Sequence, residues 1–111
     1  MTAPSAVPTV HVSALSATAA VKKSGWIATV TVSTADAYGT PISGATVTGT
    51  WSTGVSAGCT TTGSTASCSF ITTMNKKTAS ATYTVGGVSA NGYTYDATAN
   101  VRSSVTVTAP K

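Results

Sequence analysis

Apolar and polar side chains alternate with a period of two along most of the chain. The clearest stretch covers residues 26–34, where the apolar side chains that share one face are Trp26, Ala28, Val30 and Val32. The opposite face carries Thr29, Thr31 and Ser33, with Ile27 as an exposed apolar exception. Because successive side chains of a strand point to opposite faces, this alternation predicts a half-buried β-strand.

The same reasoning predicts further strands near residues 9–15, 45–52, 59–61, 66–72, 78–85, 93–95 and 103–109. Residues 17–25 are expected to form a loop or an edge segment, and residues 14–21 come closest to a helical turn. Turn signals separate the strands, as in the Asp-Ala-Tyr-Gly-Thr-Pro run at 36–41. Short strands with turns roughly every 8–12 residues predict an all-β, antiparallel, immunoglobulin-like sandwich of seven to eight strands.

The two cysteines, Cys59 and Cys68, have a Gly63-Ser64 turn between them. If the flanking segments form a hairpin, their Cα atoms can approach to the roughly 4.4–6.8 Å that a disulfide needs. We therefore expect a structural hairpin disulfide worth about 2–3 kcal/mol, and with it a secreted or cell-surface protein. A redox pair usually has a Cys-x-x-Cys spacing, and a metal site needs more soft ligands than this chain offers.

The composition argues against enzymatic catalysis. The 111 residues suit one domain, only 7% of them are charged, and Glu is absent. Asp36 belongs to a turn, Asp96 follows a predicted strand, and His11 falls on the polar face of the first strand. No triad or carboxylate pair is in view, so we expect no enzyme activity and no cofactor.

The net charge is +4, and the basic residues are mainly the pairs Lys22-Lys23 and Lys76-Lys77, both at predicted turns. Solubility of a nearly uncharged surface is the favoured interpretation, and weak attraction to anionic polymers or cell surfaces is the alternative. Nucleic-acid binders normally offer a denser basic face with stacking aromatics. The longest aliphatic run, residues 19–21, is far too short for membrane insertion.

Residues 36–51 resemble the D-x-x-G-x-P-V-x-G-A-x-V motif of bacterial immunoglobulin-like domains of group 1 type. The W-x-A-x-V-x-V segment at 26–32, the G-x-W segment at 49–51 and the Tyr95-Asp96 step also resemble accessory modules of secreted bacterial hydrolases. The resemblance covers residues 9–109. Related modules often carry a Ca²⁺ loop after the Tyr-Asp step, but here Asp96 is its only acid and Arg102 would repel the ion, so no metal is expected.

The linker-like composition of the two ends, rich in Ser, Thr and Pro at the start, also suggests a module cut from a longer chain. Residues 1–8 are predicted to be a linker stub, residues 9–109 the module, and residues 110–111 a tail. Flanking domains of a larger parent chain are therefore expected partners.

The aromatic residues are the remaining functional candidates. Trp51 lies where immunoglobulin-type sandwiches bury a tryptophan, and Trp26 and Tyr83 lie on the apolar faces of their predicted strands. Tyr38 falls in an exposed turn, and Tyr93 and Tyr95 share a face, two residues apart. Exposed aromatics stack on sugar rings, whereas the alternative for a strand-end tyrosine is a corner-type hydrogen bond to the backbone.

Together these observations predict a non-catalytic accessory module that binds or tethers to a polymer, with a polysaccharide as the preferred candidate and cell adhesion as a related role. Tyr38, Tyr93, Tyr95 and Trp26 would stack on it, while Asn91 and nearby lysines would donate hydrogen bonds. The Thr-rich faces at 29–31 and 46–50 are expected to be flat and uncharged. The second hypothesis is a structural spacer or protein-docking domain without a ligand of its own.

Overall fold

The computed structural model describes residues 8–110, which form two four-stranded β-sheets packed face to face. The strands are β1 (Thr9–Lys22), β2 (Gly25–Asp36), β3 (Thr46–Trp51), β4 (Ser56–Thr60), β5 (Ser67–Asn75), β6 (Ser80–Ser89), β7 (Thr94–Tyr95) and β8 (Ser104–Thr108). A single 3₁₀ turn covers Ala97–Ala99. The first sheet has the order β5-β2-β1-β7 and the second β4-β3-β6-β8.

All strand pairs are antiparallel except β1 with β7, which is parallel over two residues. This order is that of an immunoglobulin-like sandwich whose fourth strand lies in the second sheet. The predicted all-β sandwich is therefore confirmed. Of the predicted linker and tail, only Pro8 and Pro110 are among the described residues, and the rest lies outside them.

Of the two alternatives predicted for residues 17–25, the loop is wrong and the edge segment is confirmed, because β7 pairs only with Thr9 and Val10 and leaves the rest of β1 at the edge of the sheet. β1 continues to Lys22 and pairs with β2 as far as Gly25, which leaves a two-residue turn at Lys23-Ser24. A register shift between Val12 and Ala14 changes which side chains face inward: Val10 and Val12 before it, Leu15 after it. This bulge breaks the period of two, which explains why the segment resembled helical spacing.

The inner faces of the two sheets form one core. Trp51 and Tyr83 lie side by side with ring centroids 5.4 Å apart, and Phe70 contacts Tyr83 at 5.0 Å. The predicted burial of Trp51 and Tyr83 is confirmed, at 1% and 0% exposure. Gly49 packs directly against this cluster. A Cβ at this position would lie 2.7 Å from the Tyr83 ring, so only glycine fits.

The Cys59–Cys68 disulfide is present, with the Cα atoms 6.1 Å apart. The turn between the cysteines is closed by an antiparallel bridge from Thr62 to Ser67. Beyond this bridge the chain diverges, because Cys59 lies on β4 of the second sheet and Cys68 on β5 of the first. The disulfide therefore links the edge strands of opposite sheets, where the sequence suggested cross-strand neighbours in one hairpin.

The strand directions give the sandwich two distinct ends. We call one the loop end; it holds the β2–β3, β4–β5 and β6–β7 connections, residues 37–45, 61–66 and 90–93. We call the other the lysine end; it holds the β1–β2, β3–β4 and β5–β6 connections, residues 23–24, 52–55 and 76–79.

Candidate functional site

The loop end gathers three of the five predicted contact residues. Tyr38 lies in the β2–β3 connection, and Asn91 and Tyr93 lie in the β6–β7 connection. Val10 of β1 pairs with Asp36 on one side and with Tyr95 on the other. β2, which leads into the first connection, and β7, which follows the second, are therefore about 10 Å apart, which is two strand spacings.

The turn that carries Tyr38 is held by its own hydrogen bonds. Asp36 Oδ1 accepts from the backbone N–H groups of Tyr38 and Thr40, both at 2.9 Å. The Asp36 N–H donates to the Thr40 carbonyl at 2.9 Å, and Gly39 adopts a φ of +85° that favours glycine. The turn is thus ordered through backbone groups, while the Tyr38 side chain is 94% exposed.

Tyr93 and Tyr95 are both half-buried and pack partly against the core. The Tyr95 hydroxyl accepts a 2.6 Å hydrogen bond from Asn100 Nδ2, and Asn100 Oδ1 accepts from the Val12 N–H at 2.8 Å. Tyr95 is therefore anchored to β1 through Asn100, a relayed form of the corner-type bond that the sequence left open. Asn91 is exposed, beside Gly92 in the turn.

Trp26 is not available for stacking, and its assignment as a contact residue is wrong. Its side chain is 2% exposed, and its indole Nε1 donates to the Thr78 carbonyl at 2.9 Å. It also lies at the lysine end, opposite to the three residues gathered at the loop end. Burial in the first sheet removes the ring from water, and the hydrogen bond to Thr78 satisfies its one polar atom.

Comparisons with known proteins assign no function to this site. No family model, curated protein or solved structure matches the chain. The resemblance to bacterial immunoglobulin-like domains therefore stays a prediction from the motif residues. Within residues 8–110, no group of three His, Cys, Asp or Glu side chains is placed to hold a metal ion. The same range contains no helix long and apolar enough to cross a membrane.

Two of the three titratable side chains weighed for catalysis, Asp36 and Asp96, hold local turns. Asp36 orders its turn, and Asp96 Oδ1 accepts from the N–H and the hydroxyl of Thr98 at the start of the 3₁₀ turn. His11 is half-buried, and its Nδ1 lacks a hydrogen-bond partner among the described residues.

The outer face of the second sheet is grooved, not flat as the sequence suggested. An open groove of about 530 Å³ is lined by Thr48, Gly49, Thr50, Ser56, Ala57 and Gly86. Two of the lining residues, Gly49 and Gly86, have no side chains to fill the space beside Thr48 and Thr50. The lining offers hydroxyl and backbone groups without charge or aromatic rings. Gly49 and Gly86 are the sequence signal that could have indicated it.

Proposed function

We propose that the chain is a non-catalytic accessory module of a secreted bacterial protein, and that it binds a neutral polysaccharide at its loop end. The observation that supports this proposal is Tyr38: a large aromatic side chain, 94% exposed, on a turn whose backbone is already ordered by Asp36. The turn does not need the ring for its own stability. A flat apolar ring with a polar tip is suited to stacking on a sugar.

The surroundings of Tyr38 favour a neutral polymer over a charged one. The Asp36 carboxylate is occupied by two backbone N–H groups, and the neighbouring connection adds the Asn91 amide and the partly exposed Tyr93. Amide and phenol groups hydrogen-bond to sugar hydroxyls without requiring a counter-charge. Tyr95 contributes indirectly, because its bond to Asn100 supports the strand that follows Tyr93.

Secretion is supported by the Cys59–Cys68 disulfide, because such bridges persist in oxidising compartments. A covalent link between the two sheets is also suited to a small domain that works outside the cell, where no chaperone refolds it. Localisation at the cell surface fits the same observation.

The test is retention on insoluble neutral polysaccharides, with chitin and cellulose as the two probes. Tyr38→Ser should weaken retention by about 10- to 150-fold, from the roughly 1.5–3 kcal/mol gained on burying an aromatic ring. Ile71→Ser is the matched control, because it removes an apolar side chain that is 65% exposed on the outer face of the first sheet. Equal retention of Tyr38→Ser and the unmodified protein, or no retention of either, would overturn the proposal.

A second function, that of a structural spacer, is favoured by the positions of Pro8 and Ala109, near the two limits of the described residues. Pro8 accepts from the Thr94 N–H at the loop end, and Ala109 donates to the Ala79 carbonyl at the lysine end. Segments joined to the two sides would leave in opposite directions along the strands. Two copies fused in tandem should then be elongated in small-angle X-ray scattering, and a compact particle would contradict the spacer role.

A further inference from the structure

Four lysines lie together at the lysine end. Lys22 and Lys23 belong to the β1–β2 turn, Lys76 and Lys77 to the β5–β6 turn, and all four are exposed. Their turns are adjacent because Gly25 pairs with Asn75, so closely that a Cβ on Gly25 would be 3.2 Å from the Lys76 backbone nitrogen. Two pairs that are far apart in sequence thus form one basic cluster.

Neither of the two acidic side chains in residues 8–110 lies near this cluster. Asp36 ends β2 and Asp96 follows β7, and both lie toward the loop end. The length of β2, from Gly25 to Asp36, separates the two ends by about 35 Å at the usual rise per residue. This distance is several times the Debye length of about 8–10 Å, so the aspartates are screened from the lysines.

Solubility alone does not explain the clustering. Four like charges on adjacent turns repel one another, and the same charges spread over the Thr-covered faces would solubilise the protein without that cost. The turns are also ordered: Asn75 Oδ1 accepts from the Lys77 N–H at 2.8 Å, and the Thr78 N–H donates to the Asn75 carbonyl at 2.9 Å. A concentrated, positioned charge is what an anionic partner requires.

We propose that the lysine end binds a linear polyanion, a polymer with a carboxylate or a phosphate in each repeating unit. The lysines follow the strand order β1, β2, β5 and form a row about 10 Å wide, two strand spacings, along which such a chain can lie. The large apolar side chains exposed at this end are Val21 and Val55. Interfacial membrane binding relies on Trp, Phe or Leu beside the cations, so the polymer fits better than a bilayer.

This surface lies at the other end of the sandwich from Tyr38, so each proposal can be tested, and can fail, independently of the other. The test is titration of the protein with polygalacturonate and with polyphosphate at low ionic strength, with dextran as the neutral comparison. Comparing the two polyanions distinguishes a carboxylate partner from a phosphate partner. Affinity should fall as salt is added, because binding releases condensed counterions.

Two double variants separate the position of the charge from its amount. K76Q/K77Q removes two positive charges from the lysine end, and S64E/S89E adds two negative charges at exposed positions of the loop end, so both lower the net charge by two. K76Q/K77Q should bind about tenfold more weakly, whereas S64E/S89E should stay within about twofold because of screening. K22Q/K23Q/K76Q/K77Q should not bind.

Three results would overturn the proposal. One is equal weakening by the two double variants, which would show an effect of net charge alone. The second is the absence of binding to either polyanion. The third is stronger binding to vesicles of phosphatidylglycerol and phosphatidylcholine than to both polyanions, which would indicate a membrane partner. Thermal unfolding of the lysine variants should be unchanged or shifted slightly upward, because the four side chains are exposed and their mutual repulsion is reduced.

Discussion

Trp51 and Thr72 join the two sheets by a hydrogen bond inside the core. The indole Nε1 of Trp51, on β3, donates to Thr72 Oγ1, on β5, at 2.9 Å. Both residues are buried, at 1% and 8% exposure. A buried indole N–H needs a partner, and here that partner comes from the opposite layer.

Thr72→Val should therefore destabilise the fold. The substitution keeps the shape but leaves the Trp51 N–H without an acceptor, which costs about 1–3 kcal/mol. Thr73→Val is the matched control, because Thr73 is on the outer face of the same strand and exposed. Urea unfolding followed by Trp fluorescence measures both variants. An equal effect of the two would show that the hydrogen bond does not matter.

Gly49 should tolerate no side chain. A Cβ there would lie 2.3 Å from the Thr84 carbonyl and 2.7 Å from the Tyr83 ring, so either the backbone or the aromatic cluster must move. We expect Gly49→Ala to lose about 1–3 kcal/mol of unfolding free energy. Gly86→Ala is the control, because its nearest neighbours would be 3.7 and 3.8 Å away. A Gly49→Ala protein as stable as Gly86→Ala would contradict the close approach.

Stability should fall at alkaline pH through Tyr83. Burial raises the pKa of Tyr83 from 10.0 to about 12, and its hydroxyl donates to the Ala57 carbonyl at 2.8 Å. The folded state thus favours the neutral phenol. Its contribution is fully present below the unfolded pKa near 10 and is lost as the pH rises toward 12, by about 3 kcal/mol in total.

The Tyr83→Phe variant isolates this effect. The two proteins differ only in the Tyr83 hydroxyl, so the difference between their unfolding free energies reports on that group. That difference should shrink or reverse between about pH 10 and 12. A difference that stays constant would mean that the Tyr83 hydroxyl titrates normally.

The sequence predicted those elements whose two faces differ strongly in polarity. β2 and β3 alternate large apolar residues with threonine, so their strands and their buried residues, such as Trp51, could be assigned. β1 could not, because alanine suits either face and the bulge near Ser13 changes the inward set. The pairing of strands across the two sheets is a long-range property, which is why the disulfide appeared to belong to one hairpin.

The same limit applies to the candidate sites. The exposure of Tyr38 could be predicted because the turn residues around it are local signals. Trp26 was misassigned as a contact residue although its strand phase indicated the core. The lysine cluster could not be predicted, since Lys22-Lys23 and Lys76-Lys77 meet only when β2 pairs with β5.

The disulfide also determines how the domain can open. It fastens β4 to β5, so one margin of the sandwich is closed covalently. At the other margin β7 covers only the first two residues of β1, and an open cleft of about 460 Å³ is lined by Leu15 of β1 and Val105 of β8. The two sheets can therefore separate more readily at the margin without the disulfide, and water or a neighbouring chain would enter the core there first.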